Sequence, residues 1–491
     1  MSETKTPEKT TDAKDAPKHA PRPEKTVNTP HQTVIDGQTL TYVATAGTLN
    51  LRDPKDADTA SIFYVAYTLA DVDDPSTRPV TFCFNGGPGS SSVWLQFGAL
   101  GPRRVDLEDG ATAVAPPYRL VDNAEGILDR TDLVFIDPVG TGFSRPQGEK
   151  EGKQFQTIDE DADSIVAFVE RYLSRHHRWN APRFLAGESY GTTRAAAIAW
   201  KLHQRGVALN GLVLVSLALD FQTFVFEPEN DLAHILYLPA YAAVARYHGM
   251  AGADAPDLDG WIDEARAFAY DVYAPALLRG RALPAERRAA VAEGLARFTG
   301  LDAGEIARRD LRIEYLWFCK SLLGPGRQTI GRLDARYVGP DDDFGHRMAR
   351  DPSFDAPYGA YAAAANDHLR RALKWEGDDA YVVFSMEVNE GWQWAQKDNL
   401  GYPDTATQLA KCLLAAPHLK VIVANGLYDL ATPFSAAEYT VDHLDVPAEL
   451  RTNVQLTYYP AGHMMYFHPP SRAQLRADLT AFYDGAVKKG G

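Results

Sequence analysis

Five consecutive residues, Gly187-Glu188-Ser189-Tyr190-Gly191, constrain this chain more than any other stretch. They follow an apolar run through Phe184, Leu185 and Ala186 and open an alanine-rich segment that reaches Leu202. A serine with glycines two residues to either side, set between a buried strand and a helix, has the pattern of a nucleophile elbow. The glycines allow a strand-to-helix turn too tight for a Cβ, which lifts the serine hydroxyl out of the sheet.

The rest of the chain supplies a sheet for that elbow. Segments 39–44, 61–68 and 80–84 are rich in β-branched and aromatic residues and bounded by turns, so they predict strands that begin the sheet in antiparallel fashion. Apolar runs at 133–137, 183–187, 211–216, 421–425 and 454–459 alternate with helical stretches, which argues for a mainly parallel sheet covered on both faces. Functional groups then belong at the carboxyl ends of its strands. Between 225 and 379 the alternation gives way to helical stretches such as 261–270 and 286–298, read as an inserted cap. A core-type strand is expected again at 380–385. The expected organisation is therefore a disordered tail over 1–31, a first part of the hydrolase core over 32–224, a helical cap over 225–379 and a second part of the core over 380–491. Leu475, Leu479, Phe482 and Tyr483 fall at helical spacing and predict a last helix.

A serine needs a base to take its proton and a carboxylate to fix that base. Asp429 and His463 each lie in a loop after a predicted strand, and the order Ser, Asp, His is the one this fold uses. The glycine-rich run from Asn85 to Ser92 follows another strand. It has no lysine and no GxGxxG, so a phosphate loop is excluded. Exposed amides beside the nucleophile suit an oxyanion hole, assigned to Gly87 and Tyr190. The fold class is thus α/β, an α/β-hydrolase fold with an inserted helical cap. Its candidate catalytic residues are Ser189, Asp429 and His463.

Composition narrows the partners. A net charge of -15 without a dense basic cluster argues against nucleic acid. No apolar run reaches the roughly 18 residues of a membrane span. Cys83, Cys319 and Cys412 are far apart and read as small buried hydrophobes rather than a disulfide frame. There is no HExxH and no tight cluster of ligands, so neither a metal nor another cofactor is expected. The polar N-terminal stretch carries no leader pattern, which makes a cytoplasmic location the expectation. The oligomeric state is left open, with a homodimer among the options.

Taken together, these motifs resemble the serine carboxypeptidases, peptidase family S10, and within it a bacterial branch. The resemblance covers residues 35–488 and rests on the runs at 85–92, 99–102, 137–144, 187–191, 230–239, 425–433 and 462–464. It implies release of C-terminal residues from peptide substrates through an acyl-enzyme, with the triad and oxyanion hole named above. It further implies that Asn85 and Glu188 bind the substrate's terminal carboxylate, since a carboxamide and a protonated carboxyl can each donate to it. An esterase or acyltransferase using the same triad is the alternative. The chain departs from the family pattern at Cys83, where a tryptophan is usual, and at Ser90, where a disulfide cysteine is usual. It departs again at Ala99, where a second carboxylate-binding Glu is usual, and in the Asp137–Gly140 segment, which usually holds a Gln.

Overall fold

The computed structural model describes residues 22–107, 112–148, 150–341, 350–396, 399 and 401–487. Nine strands form the path of the central sheet: β1 (Thr26–Ile35), β2 (Gln38–Arg52), β3 (Asp58–Leu69), β4 (Val80–Phe84), β5 (Asp132–Ile136), β6 (Arg183–Glu188), β7 (Gly211–Val215), β8 (Lys420–Gly426) and β9 (Val454–Tyr459). Their spatial order is β1-β2-β3-β5-β4-β6-β7-β8-β9, and a short tenth strand, Arg145–Pro146, pairs with β3. From β1 to β5 neighbouring strands are antiparallel, and from β5 to β9 they are parallel. This is the α/β-hydrolase arrangement expected from the sequence.

Strand periodicity sorts the core into two layers. In β7, Leu212 and Leu214 join one cluster while Val213 and Val215 join the other, because successive side chains leave opposite faces. The first cluster is closed by α1 (Ile158–Arg175) and α2 (Tyr190–Gln204). The second is closed by the last helix, Pro469–Ala486, whose Leu475, Leu479, Phe482 and Tyr483 are all buried as their spacing predicts. Cys83, Cys319 and Cys412 are buried and unbridged. Among the described residues no helix is long and apolar enough to cross a membrane.

Three boundaries differ from expectation. The tail does not extend to residue 31: β1 begins at Thr26 and pairs along its length with β2, and Glu24 binds the Asn50 amide, Arg171 and Arg175. Residues 1–21 of the expected tail lie outside the described residues. The cap does not run to 379. Its core runs from Tyr237 to Ala335 and closes on Leu427, Tyr428, Leu430 and Phe434 after β8, whereas α3 (Pro352–Asp367) and the turn after it pack on the sheet through Tyr361, Ala365, Leu369 and Leu373. Nor is 380–385 a strand of the sheet. Val382 and Phe384 make only isolated bridges, to Gly142 and Ser90, so this apolar run crosses the loops above the sheet. The second part of the core re-enters the sheet at β8.

Candidate active site

Every sequence-predicted site residue leaves the carboxyl end of a parallel strand. Asn85 and Gly87 follow β4, Glu188 ends β6 with Ser189 next, Asp429 follows β8 and His463 follows β9. Asn85, Gly87, Glu188, Ser189, Tyr190 and His463 line one cavity of about 460 Å³, and Asp429 lies fully buried behind the histidine.

Ser189 sits at φ 61° and ψ −129°, a backbone conformation that a residue with a Cβ holds only under constraint. The constraint is visible on both sides. Ser189 N donates to Val215 O at 2.9 Å, and Ser189 O accepts from Thr192 N at 2.8 Å and Thr192 Oγ1 at 2.7 Å. A Cβ on Gly187 would lie 2.1 Å from Gly191 O, so no other residue fits the inner side of the turn.

His463 Nδ1 is 2.7 Å from Asp429 Oδ2. The same carboxylate accepts from Ala431 N at 2.7 Å, Thr432 N at 3.0 Å and Thr432 Oγ1 at 2.9 Å, so it is held from three directions and can fix the ring's orientation and tautomer. The ring's own backbone is clamped: His463 N donates to Leu333 O at 2.6 Å, and Ser216 Oγ donates to His463 O at 2.6 Å. Burial lowers the pKa of the His463 ring, but the charge and hydrogen bond of Asp429, with Glu188, outweigh it and the net shift is upward. Among the described residues the Ser189 hydroxyl forms no hydrogen bond with this ring. Such a contact commonly closes only in the substrate complex.

Tyr190 N opens α2, and neither its amide nor that of Gly87 is taken by a backbone acceptor among the described residues. Two unclaimed donors beside the serine, one of them at a helix N-terminus, are what a developing oxyanion requires.

Asn85 Nδ2 donates to Glu188 Oε1 at 2.9 Å, while Asn85 Oδ1 accepts from Leu95 N at 3.1 Å. Glu188 Oε2 accepts from the Tyr466 phenol at 2.6 Å. Burial pushes the Glu188 carboxyl up to about 7, against the lowering effects of His463, Tyr466 and Asn85. Near neutral pH this acid is therefore partly protonated and able to donate. Beneath the pair, Arg194 and Asp161 form a buried ion pair at 2.7 Å, Arg194 Nη1 donates to Asn85 O, and the Tyr190 phenol donates to Asp161 at 3.1 Å.

Sequence reasoning missed several residues of this site, one that binds Glu188 without lining the cavity and others in the cavity wall. Tyr466 is one, although it stands three residues after His463 in a run of large side chains. The others are Arg332 and two aromatic walls, Phe221, Phe224 and Trp394 on one hand, Trp94, Phe354 and Phe384 on the other. No local motif marks them, because they are scattered over the segments that follow β4 and β7, the cap, α3 and the 380–394 segment.

Residues 37–218 match the family model described as serine carboxypeptidase. Among curated proteins the chain is similar to serine carboxypeptidase-like 36 of Arabidopsis thaliana, 30% identical over 33% of this chain and 33% of the relative. It is also similar to the pheromone-processing carboxypeptidase KEX1 of Saccharomyces cerevisiae, 32% identical over 30% of this chain and 20% of the relative. A third is serine carboxypeptidase S10 family member 1 of Dictyostelium discoideum, 26% identical over 33% of this chain and 36% of the relative. The matched segments thus span about a third or less of these relatives. Among solved structures, that of the prohormone-processing carboxypeptidase KEX1ΔP from Saccharomyces cerevisiae aligns over 90% of this chain and 91% of its own, with TM-score 0.58 and 18% identity, a likeness of fold. These relatives come from plants, yeasts and Dictyostelium, which overturns the expected bacterial branch.

Proposed function

We propose that this protein is a serine-type carboxypeptidase that releases C-terminal residues from peptides through an acyl-enzyme. The reading rests above all on one juxtaposition: the His463 ring, held by Asp429 at 2.7 Å, and the Asn85–Glu188 pair, at 2.9 Å, line the same cavity as Ser189. The first pair activates a nucleophile, and the second offers donors to a carboxylate. The likeness of residues 37–218 to the serine carboxypeptidase family supports it.

In this mechanism Ser189 Oγ attacks the carbonyl carbon of the last peptide bond while His463 takes its proton. The Gly87 and Tyr190 amides receive the oxyanion. His463 then gives the proton to the departing amine, and the C-terminal amino acid leaves. Water, deprotonated by the same ring, releases the acyl group and restores Ser189. Asp429 holds the ring and stabilises its charged form throughout. Glu188 and Asn85 hold the terminal carboxylate, which sets the scissile bond one residue from the chain end.

The test is covalent labelling by a fluorophosphonate together with mass spectrometry of peptides whose C-termini are free or amidated. Labelling of Ser189 and sequential loss of residues from free peptides alone is the expected result. Labelling with turnover of simple esters but no release from free peptides would favour the esterase or acyltransferase reading.

A further inference from the structure

The cavity that holds Ser189 contains a guanidinium for which the proposed chemistry has no use. Arg332 lies in the turn between the short paired strands Gln328–Ile330 and Val338–Pro340, and its backbone is tied to both histidine and aspartate loops: Leu430 N donates to Arg332 O at 3.0 Å, and the next residue, Leu333, accepts from His463 N at 2.6 Å. The side chain lines the cavity and lies over the Tyr315 ring, 5.4 Å from its centroid.

What it lacks, among the described residues, is a hydrogen-bonded anion. Its Nε is buried without a hydrogen-bond partner, and among the described residues the guanidinium forms no ion pair. The two nearby carboxylates are occupied by other donors. Asp351 accepts from Arg332 N at 3.2 Å, Ser353 N at 3.0 Å, the Ser353 hydroxyl and Leu333 N at 3.4 Å, while Asp429 is bound by His463, Ala431 and Thr432. A guanidinium keeps its charge at any ordinary pH and presents a planar fork that matches a carboxylate. Burial works against that charge, but Tyr315, Tyr237, Asp351 and Asp429 together outweigh it and the net pKa shift is upward, so the group stays charged while none of its donors reaches a protein acceptor among the described residues.

We propose that Arg332 binds a carboxylate of the substrate peptide. This rests on the peptidase reading for the nature of the substrate. The carboxylate comes either from an acidic side chain or from the chain terminus, and in the first case the enzyme prefers Asp and Glu near the scissile bond.

The test is calorimetric titration of full-length Ser189→Ala protein, which binds without turning over, with and without Arg332→Gln. Four versions of one tetrapeptide serve as probes: Glu or Gln in the last two positions, each with a free or amidated C-terminus. Arg332→Gln is expected to weaken carboxylate-bearing probes by about tenfold or more, the scale of a charge-assisted pair, and to leave the amidated Gln peptide unaffected. Loss that follows Glu assigns the side-chain carboxylate, and loss that follows the free end assigns the terminus. Arg332→Lys should keep part of the discrimination, having the charge without the fork. Equal weakening of all four probes would mean that Arg332 only supports the Asp429 loop, and unchanged binding would mean that it contacts nothing. Either overturns the proposal. So does indifference to both carboxylates in protein that retains Arg332, a measurement that needs no variant at this position. Fluorophosphonate labelling of the unaltered protein judges the hydrolase reading separately.

Discussion

The Tyr466 phenol donates to Glu188 Oε2 at 2.6 Å, and its ring rests where Gly98 leaves no side chain. A Cβ on Gly98 would come within 2.4 Å of that ring. Gly98 adjoins Ala99, the position at which the carboxypeptidase pattern usually has a second acid. Glu188 thus has a neutral donor, the Tyr466 phenol, as its partner on Oε2.

Replacing Tyr466 by Phe tests this contact. The phenol's hydrogen bond stabilises the ionised carboxylate and lowers the Glu188 pKa, so its loss should move that pKa above about 7. For free peptides the alkaline fall of kcat/KM should shift to higher pH. An unchanged profile would show that Tyr466 only fills space.

Removal of the nucleophile should be cleaner. Ser189→Ala keeps the backbone geometry and nearly all the volume, so stability should stay within about 1 kcal/mol while labelling vanishes. Turnover should fall about a million-fold, with His463→Ala similar and Asp429→Asn about ten-thousand-fold, and the losses should not add. Asn is the better replacement at 429 because its carbonyl can still accept from Ala431 and Thr432. Denaturant midpoints run beside the kinetics separate lost chemistry from lost structure.

The elbow and the sheet were readable because both depend on local pattern. Gly187 and Gly191 mark a turn, and continuous apolar runs mark strands buried on both faces. Thr26–His31 was unreadable for the opposite reason: an edge strand paired on one side and largely exposed has no apolar period to betray it. Tyr381 to Phe384 misled because β-propensity reports suitability for a sheet and says nothing about whether a neighbour is free to pair. Tyr466 and Arg332 were silent since their significance comes from Glu188 and the cavity, far away in the chain. The family resemblance identified Asn85 and Glu188 as a pair, and the 2.9 Å contact between them gives that pairing a geometry.

Glu188→Gln separates recognition from bracing. Glu188 must hold its proton to donate to a carboxylate, while His463, whose pKa is raised, must be neutral to accept from Ser189. These demands oppose each other and should give free peptides a bell whose alkaline limb follows Glu188, near pH 7. Gln donates at every pH, so the alkaline limb should flatten for free peptides and change little for amidated ones. Equal loss on both substrates at every pH would leave Glu188 with a bracing role.

A second buried acid, Asp137, should govern stability rather than turnover. It follows β5, is 3% exposed, and uses Oδ1 to accept from Ser92 N at 2.9 Å and the Tyr381 phenol at 3.2 Å. Oδ2 has no partner among the described residues and faces Gly142, where a Cβ would come within 1.7 Å of it. Burial pushes this carboxyl up to about 7 from an ordinary 3.8. Because the folded pKa is raised, the acid favours the folded state fully below its unfolded value, and that contribution is lost as pH rises from about 4 to about 7. Above this range the loss is constant, about 4 kcal/mol at most before relaxation. Asp137→Asn keeps an acceptor for Ser92 and does not titrate. Urea unfolding of both proteins at pH 4 to 8 should show the Asn variant gaining on the native chain as pH rises, with most of the gain complete by pH 8. A difference in unfolding free energy that stays constant over this range would mean that Asp137 is ionised throughout, with Oδ2 satisfied by a donor such as water.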